Sequence, residues 1–122
     1  IKTKIIGVSV LTSLNDEDSS VLFQSTTRDQ VARLFKLANE TAIDGIVCSP
    51  LELDLAVNIL SPEMLKITPG IRDISVIDDQ SRTMTANEAI NHGASYLVIG
   101  RPISKASNVS EALRYFNESA DE

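Results

Sequence analysis

A glycine and an arginine directly follow an apolar run in the stretch LVIGRPI, which spans residues 97–103. Arginine suits the forked recognition of a phosphate group, and glycine lets a backbone N–H group approach a bound anion closely. The same residues would also serve as a simple turn at the end of a strand, and the stretch alone favours that turn. A phosphate site at Gly100 and Arg101 therefore needs support from residues elsewhere in the chain.

Polar residues also follow other apolar runs, and the aperiodic stretch 69–84 adds more. The candidate ligand-contacting residues are Thr12, Ser13, Thr68, Pro69, Arg72, Gln80, Arg82, Gly100 and Arg101. Parallel α/β sheets bind ligands at the edge where the carboxyl ends of their strands meet. In eight-stranded barrels, a phosphate commonly lies at the loops after the last two strands. If this chain is the second half of such a barrel, Gln80, Gly100 and Arg101 fall at that position.

The spacing of apolar residues predicts the strands and helices that would position these side chains. Strands rich in β-branched residues are predicted over 4–12, 43–48, 64–68 and 95–99. Helices are predicted after each strand, with capping boxes at Thr27/Gln30, Ser49/Glu52 and Thr85/Glu88 and apolar stripes within 31–42, 51–59 and 109–116. The polar stretch 15–26 is predicted as a loop. Strands that are apolar on both faces and alternate with helices predict an α/β fold with a parallel sheet.

Length and composition exclude several classes of protein. The 122 residues form at most one domain, and 43% of them are hydrophobic, so the chain can bury a core. A net charge of −6 and only 4% aromatic residues do not fit a nucleic-acid-binding surface. No apolar run approaches the roughly 20 residues that cross a bilayer. The single cysteine, Cys48, fits a protein of the reducing cytoplasm, and His92 has no Cys/His companions, so no metal site is predicted.

Five blocks of sequence resemble, in order, those of the orotidine 5'-phosphate decarboxylases. They are residues 8–13 (VSVLTS), 44–49 (DGIVCS), 68–72 (TPGIR), 79–85 (DQSRTMT) and 98–103 (VIGRPI). Single blocks of this kind are common in proteins, whereas five in register, each at its expected strand end, are specific. The resemblance runs from Lys4 into the last predicted helix.

This resemblance implies a fold and an activity. The family folds as a TIM (β/α)8 barrel and removes CO2 from orotidine 5'-monophosphate to give uridine 5'-monophosphate, without a cofactor. The chain, as one domain over residues 1–122, would be the carboxyl-terminal (β/α)4 half of that barrel and would carry its phosphate-binding loops. By resemblance, Thr12 and Ser13 would meet the pyrimidine end of the substrate. The other substrate-binding positions would be Pro69 and the phosphate-holding residues Arg72, Gln80, Gly100 and Arg101.

The catalytic motif of the family, Asp-x-Lys-x-x-Asp at the end of the third barrel strand, does not occur in the sequence. No lysine has an aspartate two residues before it or three residues after it; the lysines are Lys2, Lys4, Lys36, Lys66 and Lys105. No catalytic residue is therefore assigned. The chain alone is expected to be inactive.

A half-barrel would leave two sheet edges and an apolar inward face without a neighbour. The inward side chains are predicted at Ile6, Val8, Val10, Ile46, Ile67 and Val98. Besides orotidine or uridine monophosphate, the expected partners are therefore a second copy of the chain or a separate amino-terminal half-barrel.

Two other interpretations stay open on the sequence alone. A free-standing or decayed half-barrel would bind phosphorylated ligands without catalysing a reaction. A four-stranded flavodoxin-like domain has the same order of strands and helices, but it predicts a glycine-rich loop after its first strand. Residues 11–15, LTSLN, contain no glycine, which counts against this interpretation.

Overall fold

Four short strands form one parallel sheet in the computed structural model, which describes residues 3–10, 16–23, 26–72 and 84–121. The strands are β1 (Ile6–Val8), β2 (Gly45–Val47), β3 (Leu65–Thr68) and β4 (Tyr96–Leu97). They lie side by side in chain order, and each neighbouring pair is parallel. A flavodoxin-like sheet reverses its strand order at a switch point. The sequential order therefore excludes that alternative and fits one half of a barrel.

Helices separate the strands, and the predicted alternation of strands and helices is confirmed. The helices are α1 (Asp16–Phe23), α2 (Thr27–Thr41), α3 (Leu53–Ile59), α4 (Ala86–Asn91), α5 (Arg101–Ser104) and α6 (Val109–Asp121). A 3-10 turn, Pro50–Glu52, leads into α3. The strands are shorter than predicted, and α5 was not predicted at all. The predicted first strand also extends beyond residue 10 into positions outside the described residues.

The prediction of a polar loop over residues 15–26 is wrong, because most of this stretch forms α1. Its first turn carries Asp16, Glu17 and Asp18, and carboxylates at this end interact favourably with the helix dipole. The helix packs against α2, and the backbone N–H of Thr27 donates to Oδ1 of Asp16 at 3.0 Å. α1 has only a weak apolar stripe, so the sequence pattern gave no sign of it.

The start of α2 lies one residue before the predicted cap. Thr26, not Thr27, is the N-cap residue, and its hydroxyl accepts the backbone N–H of Asp29 at 3.1 Å. Thr27 is buried. The two neighbouring threonines have the same capping chemistry, and burial of the second leaves the first to cap the helix.

The predicted capping box at Ser49 is also wrong in its side-chain bonds. Ser49 does occupy the N-cap position of the 3-10 turn, but its side chain makes no capping hydrogen bond. The backbone N–H of Glu52 donates instead to the Ser49 carbonyl at 3.1 Å. Both residues are buried, whereas Leu51, which was predicted to pack inward, is half exposed. The inward side of this turn and helix is formed by Leu53 and Ala56.

One face of the sheet packs against the helices and forms the core. Parallel register places Gly7, Ile46 and Lys66 side by side on this face, with Thr68 and Leu97 further along. Ile46 belongs to one apolar cluster with residues of α2, α3, α4 and α6; its largest buried members are Phe35, Leu53, Ile71 and Val31. We call this surface the helix-covered face.

The opposite face carries apolar side chains that the core does not include. We call it the inner face, and its residues are Ile6, Val8, Val47, Leu65, Ile67, Tyr96 and Val98. Val8 and Tyr96 are both 59% exposed, and Val98 is half exposed. Four of the six predicted inward positions are correct. Ile46 lies on the helix-covered face, and Val10 is buried in the core.

The capping box at the start of α4 is confirmed in full. The Thr85 hydroxyl accepts the Glu88 backbone N–H at 3.2 Å, and Glu88 Oε1 accepts the Thr85 backbone N–H at 3.1 Å. The Thr85 backbone N–H and the Thr85 hydroxyl, which both donate to Glu88 Oε1, hold the pKa of the Glu88 carboxyl below its usual value. A negative group at this end of a helix is also favoured by the helix dipole.

Replacing Thr85 by alanine should remove this cap. We expect Thr85→Ala to lower the free energy of unfolding by about 1 kcal/mol, the usual cost of losing an N-cap hydroxyl. Urea denaturation followed by circular dichroism measures the change. Thr41→Ala is the matched control, because the Thr41 hydroxyl only bonds carbonyls of its own helix. Equal stability of the Thr85→Ala variant and the wild type would contradict the assignment.

Candidate functional site

The exit of β3 is closed by a backbone clamp on which the candidate residue Arg72 lies. The Met84 N–H donates to the Gly70 carbonyl at 3.2 Å, and the Arg72 N–H donates to the Met84 carbonyl at 3.0 Å. Ile71 and Met84 thereby form a parallel β-bridge. Gly70 has φ 76°, a left-handed conformation that favours glycine. The clamp holds the chain on either side of residues 73–83 together at the carboxyl edge of the sheet.

Arg72 is itself buried, with only 8% of its surface exposed. One guanidinium nitrogen, Nη1, donates to the neighbouring Ile71 carbonyl at 2.8 Å. Arg72 also borders a cavity of about 170 Å³ between the β3 exit, α4 and α6, lined as well by Thr85, Ala86, Asn87, Tyr115, Phe116 and Ser119. Neither Gly100 nor Arg101 lines this cavity. The structure thus directs Arg72 toward helix packing as well as toward the sheet edge.

Gly100 and Arg101 lie at the carboxyl end of β4 and are both exposed. The backbone at Gly100 is open, since a Cβ atom built there would have no neighbour within 4 Å. Arg101 begins α5, and the Gly100 carbonyl accepts the N–H groups of Ile103 and Ser104 at 2.9 Å each. The residues after the predicted strand, which could have formed a simple turn, therefore begin a short helix with Pro102 in its first turn, where proline is tolerated.

The sheet register brings two of the candidate positions to one edge. Thr68 and Leu97 are partners across β3 and β4, and the Val98 N–H donates to the Thr68 carbonyl at 2.9 Å. Pro69 and Gly100 therefore follow neighbouring strands at the same edge of the sheet. The candidate residues Thr12, Ser13, Gln80 and Arg82 lie outside the described residues.

A polar cluster, not predicted as such, lies beneath this edge at the ends of β2 and β3. Its members Cys48, Ser49 and Thr68 are all buried. The hydroxyl oxygens of Ser49 and Thr68 have no hydrogen-bond partner among the described residues. Burial raises the pKa of the Cys48 thiol to about 11, and the neighbouring Thr68 hydroxyl only partly opposes this shift. The thiol is therefore neutral at physiological pH and unsuited to act as a nucleophile.

The described ranges contain neither a cluster of metal ligands nor a membrane-spanning helix. No group of three or more His, Cys, Asp or Glu side chains in them could hold a metal ion. None of the helices described combines the length and apolar character needed to span a membrane. His92 lies just after α4, where its Nδ1 is 2.7 Å from the Glu88 carbonyl oxygen.

Comparison with known proteins identifies the family. Residues 2–116 match the model of the orotidine 5'-phosphate decarboxylase / HUMPS family. The chain belongs to that family. It is 44% identical over 117 residues to the orotidine 5'-phosphate decarboxylase of Actinobacillus succinogenes, and 48% identical over 108 residues to that of Wolbachia pipientis. These alignments cover 94% and 88% of this chain but 50% and 48% of the relatives.

The fold comparison gives the same proportion. A crystal structure of orotidine 5'-phosphate decarboxylase from Lactobacillus acidophilus matches with a TM-score of 0.76 and 31% sequence identity. The match covers 98% of this chain and 50% of that one. This member of the decarboxylase family thus spans about half the length of the relatives that it matches. Its parallel four-stranded sheet is a (β/α)4 half of a TIM barrel, as the sequence predicted.

The buried thiol of this family member predicts a pH dependence of stability. The pKa of Cys48 is raised from 9.0 to about 11 in the folded chain, so the neutral thiol stabilises the fold fully below pH 9. This stabilisation is lost as the pH rises from 9 to 11, by at most about 2–3 kcal/mol. We expect Cys48→Ala to lose less stability than the wild type over that range. Urea denaturation at pH 8 and pH 11 tests it, and parallel losses in both proteins would contradict it.

Proposed function

We propose that this chain supplies the phosphate-binding half of an orotidine 5'-phosphate decarboxylase, the enzyme that converts orotidine 5'-monophosphate into uridine 5'-monophosphate and CO2. The observation that carries the proposal is the exposed Gly100–Arg101 pair at the carboxyl edge of the last strand. A phosphate at the loops after the last two strands is common among TIM barrels. The substrate, orotidine 5'-monophosphate, is inferred from membership of the decarboxylase family. The single cysteine supports a reducing compartment such as the cytoplasm.

Arg101 is the central residue of the proposed phosphate contact. Its guanidinium can donate two parallel N–H bonds to phosphate oxygens, and the open backbone at Gly100 leaves room for the anion. The chain carries a net charge of −6, so the positive charge at this edge has to act locally. Pro69 borders the same edge from the neighbouring strand. Arg72, Thr12, Ser13 and Gln80 keep the roles implied by the sequence resemblance, and the backbone N–H of Arg72 also closes the β3 exit through its bond to the Met84 carbonyl.

The proposed role of this half is binding and not proton transfer. In the decarboxylase family the proton donor is the lysine of an Asp-x-Lys-x-x-Asp motif, which the sequence lacks. Lys66 is buried among the strands, and its Nζ donates to the Met64 carbonyl at 3.3 Å, on the helix-covered face. Lys4, Lys36 and Lys105 are exposed. Binding energy from the phosphate would be used by catalytic groups on a complementary half.

Ligand binding tests the phosphate assignment. We expect uridine 5'-monophosphate to bind the wild type, and Arg101→Ala to bind at least about 10-fold more weakly, because a charge-assisted pair of bonds is worth roughly 1.5–3 kcal/mol. Isothermal titration calorimetry measures both affinities. Arg114→Ala, which removes an exposed arginine from α6, is the matched control and should bind like the wild type. Equal affinity of the Arg101→Ala variant and the wild type would remove Arg101 from the site.

Turnover measurements test whether phosphate binding and catalysis lie on different halves of the barrel. We expect no decarboxylation of orotidine 5'-monophosphate by the chain alone, because no lysine carries the flanking aspartates. A spectrophotometric assay should show activity only when a polypeptide with the amino-terminal half of the Actinobacillus succinogenes relative is added. Activity of the chain alone, retained after removal of host enzyme, would overturn this proposal. Ligand binding without activity in the mixture would instead favour a half-barrel that binds phosphorylated ligands and does not catalyse.

A further inference from the structure

Tyr96 carries the single polar group among the seven side chains that form the inner face. The other six are aliphatic: Ile6, Val8, Val47, Leu65, Ile67 and Val98. Tyr96 is the partner of Ile67 across β3 and β4, and 59% of its surface is exposed. Within the described part of the chain, its phenolic hydroxyl makes no hydrogen bond. In this half of the sheet the hydroxyl therefore faces water.

Completion of the barrel would move this hydroxyl from water into a packed interior. The chain matches its relatives and a solved decarboxylase over about half of their length, and its sheet is one half of a TIM barrel. The interior of such a barrel is filled by layers of side chains and is not a pore. A hydroxyl that is buried without a hydrogen-bond partner destabilises a fold, and buried tyrosines usually have such a partner. Tyr96 therefore needs a hydrogen-bond partner inside the complete barrel.

The described half of the sheet offers Tyr96 no polar side chain on the same face. Ile67 and Val47, which follow Tyr96 in register across the sheet, are aliphatic, and so is Val98 two residues further along the chain. The polar residues of β3, Lys66 and Thr68, lie on the helix-covered face. The partner group therefore has to come from the other half of the barrel.

Tyr96 also lies at the edge of the sheet to which the other half must be joined. Among the described strands, β4 has a neighbour on one side only. Tyr96 lines a groove of about 420 Å³ between β4 and α6, with Leu97 and Leu113 among the other lining residues. Closure of a barrel pairs such an edge with a further strand. A strand of the other half would therefore pass directly beside Tyr96.

We propose that the Tyr96 hydroxyl donates a hydrogen bond, inside the complete barrel, to an oxygen acceptor on the amino-terminal half. The inference rests on the proposed function, because it takes the decarboxylase barrel as the complete structure. A phenol hydroxyl is a better donor than acceptor, so the partner is a carboxylate, a side-chain amide oxygen or a backbone carbonyl. The bond would anchor β4, which the Gly100–Arg101 pair follows, to the amino-terminal half.

Removal of each tyrosine hydroxyl in turn tests the proposal. The wild type, Tyr96→Phe and Tyr115→Phe are each titrated, by isothermal titration calorimetry, with the amino-terminal half of the Actinobacillus succinogenes relative. We expect Tyr96→Phe to bind this half at least about fivefold more weakly, because the variant leaves a buried acceptor without its donor. Tyr115→Phe is the matched control, since Tyr115 lies on α6, half exposed and away from the inner face. It should bind like the wild type.

Nuclear magnetic resonance of the Tyr96 side chain shows whether its hydroxyl is held. In the Tyr115→Phe chain Tyr96 is the single tyrosine, so a carbon-13 label at the tyrosine ζ carbon reports on this residue alone. In an equal mixture of H2O and D2O, a buried and hydrogen-bonded hydroxyl exchanges slowly, and the ζ carbon gives separate resonances for OH and OD. A hydroxyl in water gives one averaged resonance. We expect one resonance from the chain alone and two after the unlabelled amino-terminal half is added.

The outcomes separate this inference from the proposed function. Equal affinities of Tyr96→Phe and the wild type, or a single averaged resonance in the complex, overturn the inference, and turnover by the wild-type mixture would still support the proposed function. Equally weakened binding by Tyr96→Phe and Tyr115→Phe also overturns the inference, because the loss would not be specific to the inner face. A wild type that does not bind the amino-terminal half overturns both.

Discussion

A parallel sheet has to be covered on both faces, and the described part of this chain covers only one. Phe35, Leu53 and Ile71 fill the space between the helices and the helix-covered face, while Val8 and Tyr96 remain largely exposed on the inner face. Covering a few hundred Å² of apolar surface is worth several kcal/mol, at about 25 cal/mol per Å². The whole stability of a domain is only about 5–15 kcal/mol. The partner that covers the inner face therefore decides how stable the fold is.

The candidate site depends on the same constraint. Gly100 and Arg101 follow β4, which pairs through only two residues and has a strand on one side among the described residues. The position of the arginine is thus set by β3 and α6, and by whatever strand lies on the open side of β4. On the β3 side of the site, by contrast, backbone hydrogen bonds between Gly70, Arg72 and Met84 fix the position of the chain. A phosphate bound between the exits of β3 and β4 would connect the hydrogen-bonded β3 exit to the β4 exit, whose outer side has no neighbouring strand among the described residues.

The sequence predicted those features that repeat over several residues or depend on one specific bond. The alternation of strands and helices and the Thr85–Glu88 capping box were both predicted correctly. α1 was missed because its sequence has an acidic first turn and no clear apolar period, although the helix packs on α2. The face on which Ile46 lies was predicted wrongly. Neighbouring residues of a strand point to opposite faces, so an error of one residue moves a side chain from the inner face to the helix-covered face.

Arg72 could be placed at the β3 exit from the sequence, but its burial and its bond to the Ile71 carbonyl depend on packing that the sequence pattern does not show, and its contact with a phosphate stays a prediction. The central claim, that the folded sheet requires a covered inner face, can be tested on the unmodified chain. Differential scanning calorimetry should show a midpoint of unfolding that rises when a polypeptide with the amino-terminal half of the Actinobacillus succinogenes relative is added, because binding to the folded state favours that state by mass action. A reversible, cooperative transition whose midpoint stays constant over a 100-fold range of the added polypeptide would contradict the account, because the sheet would then be stable with its inner face in water.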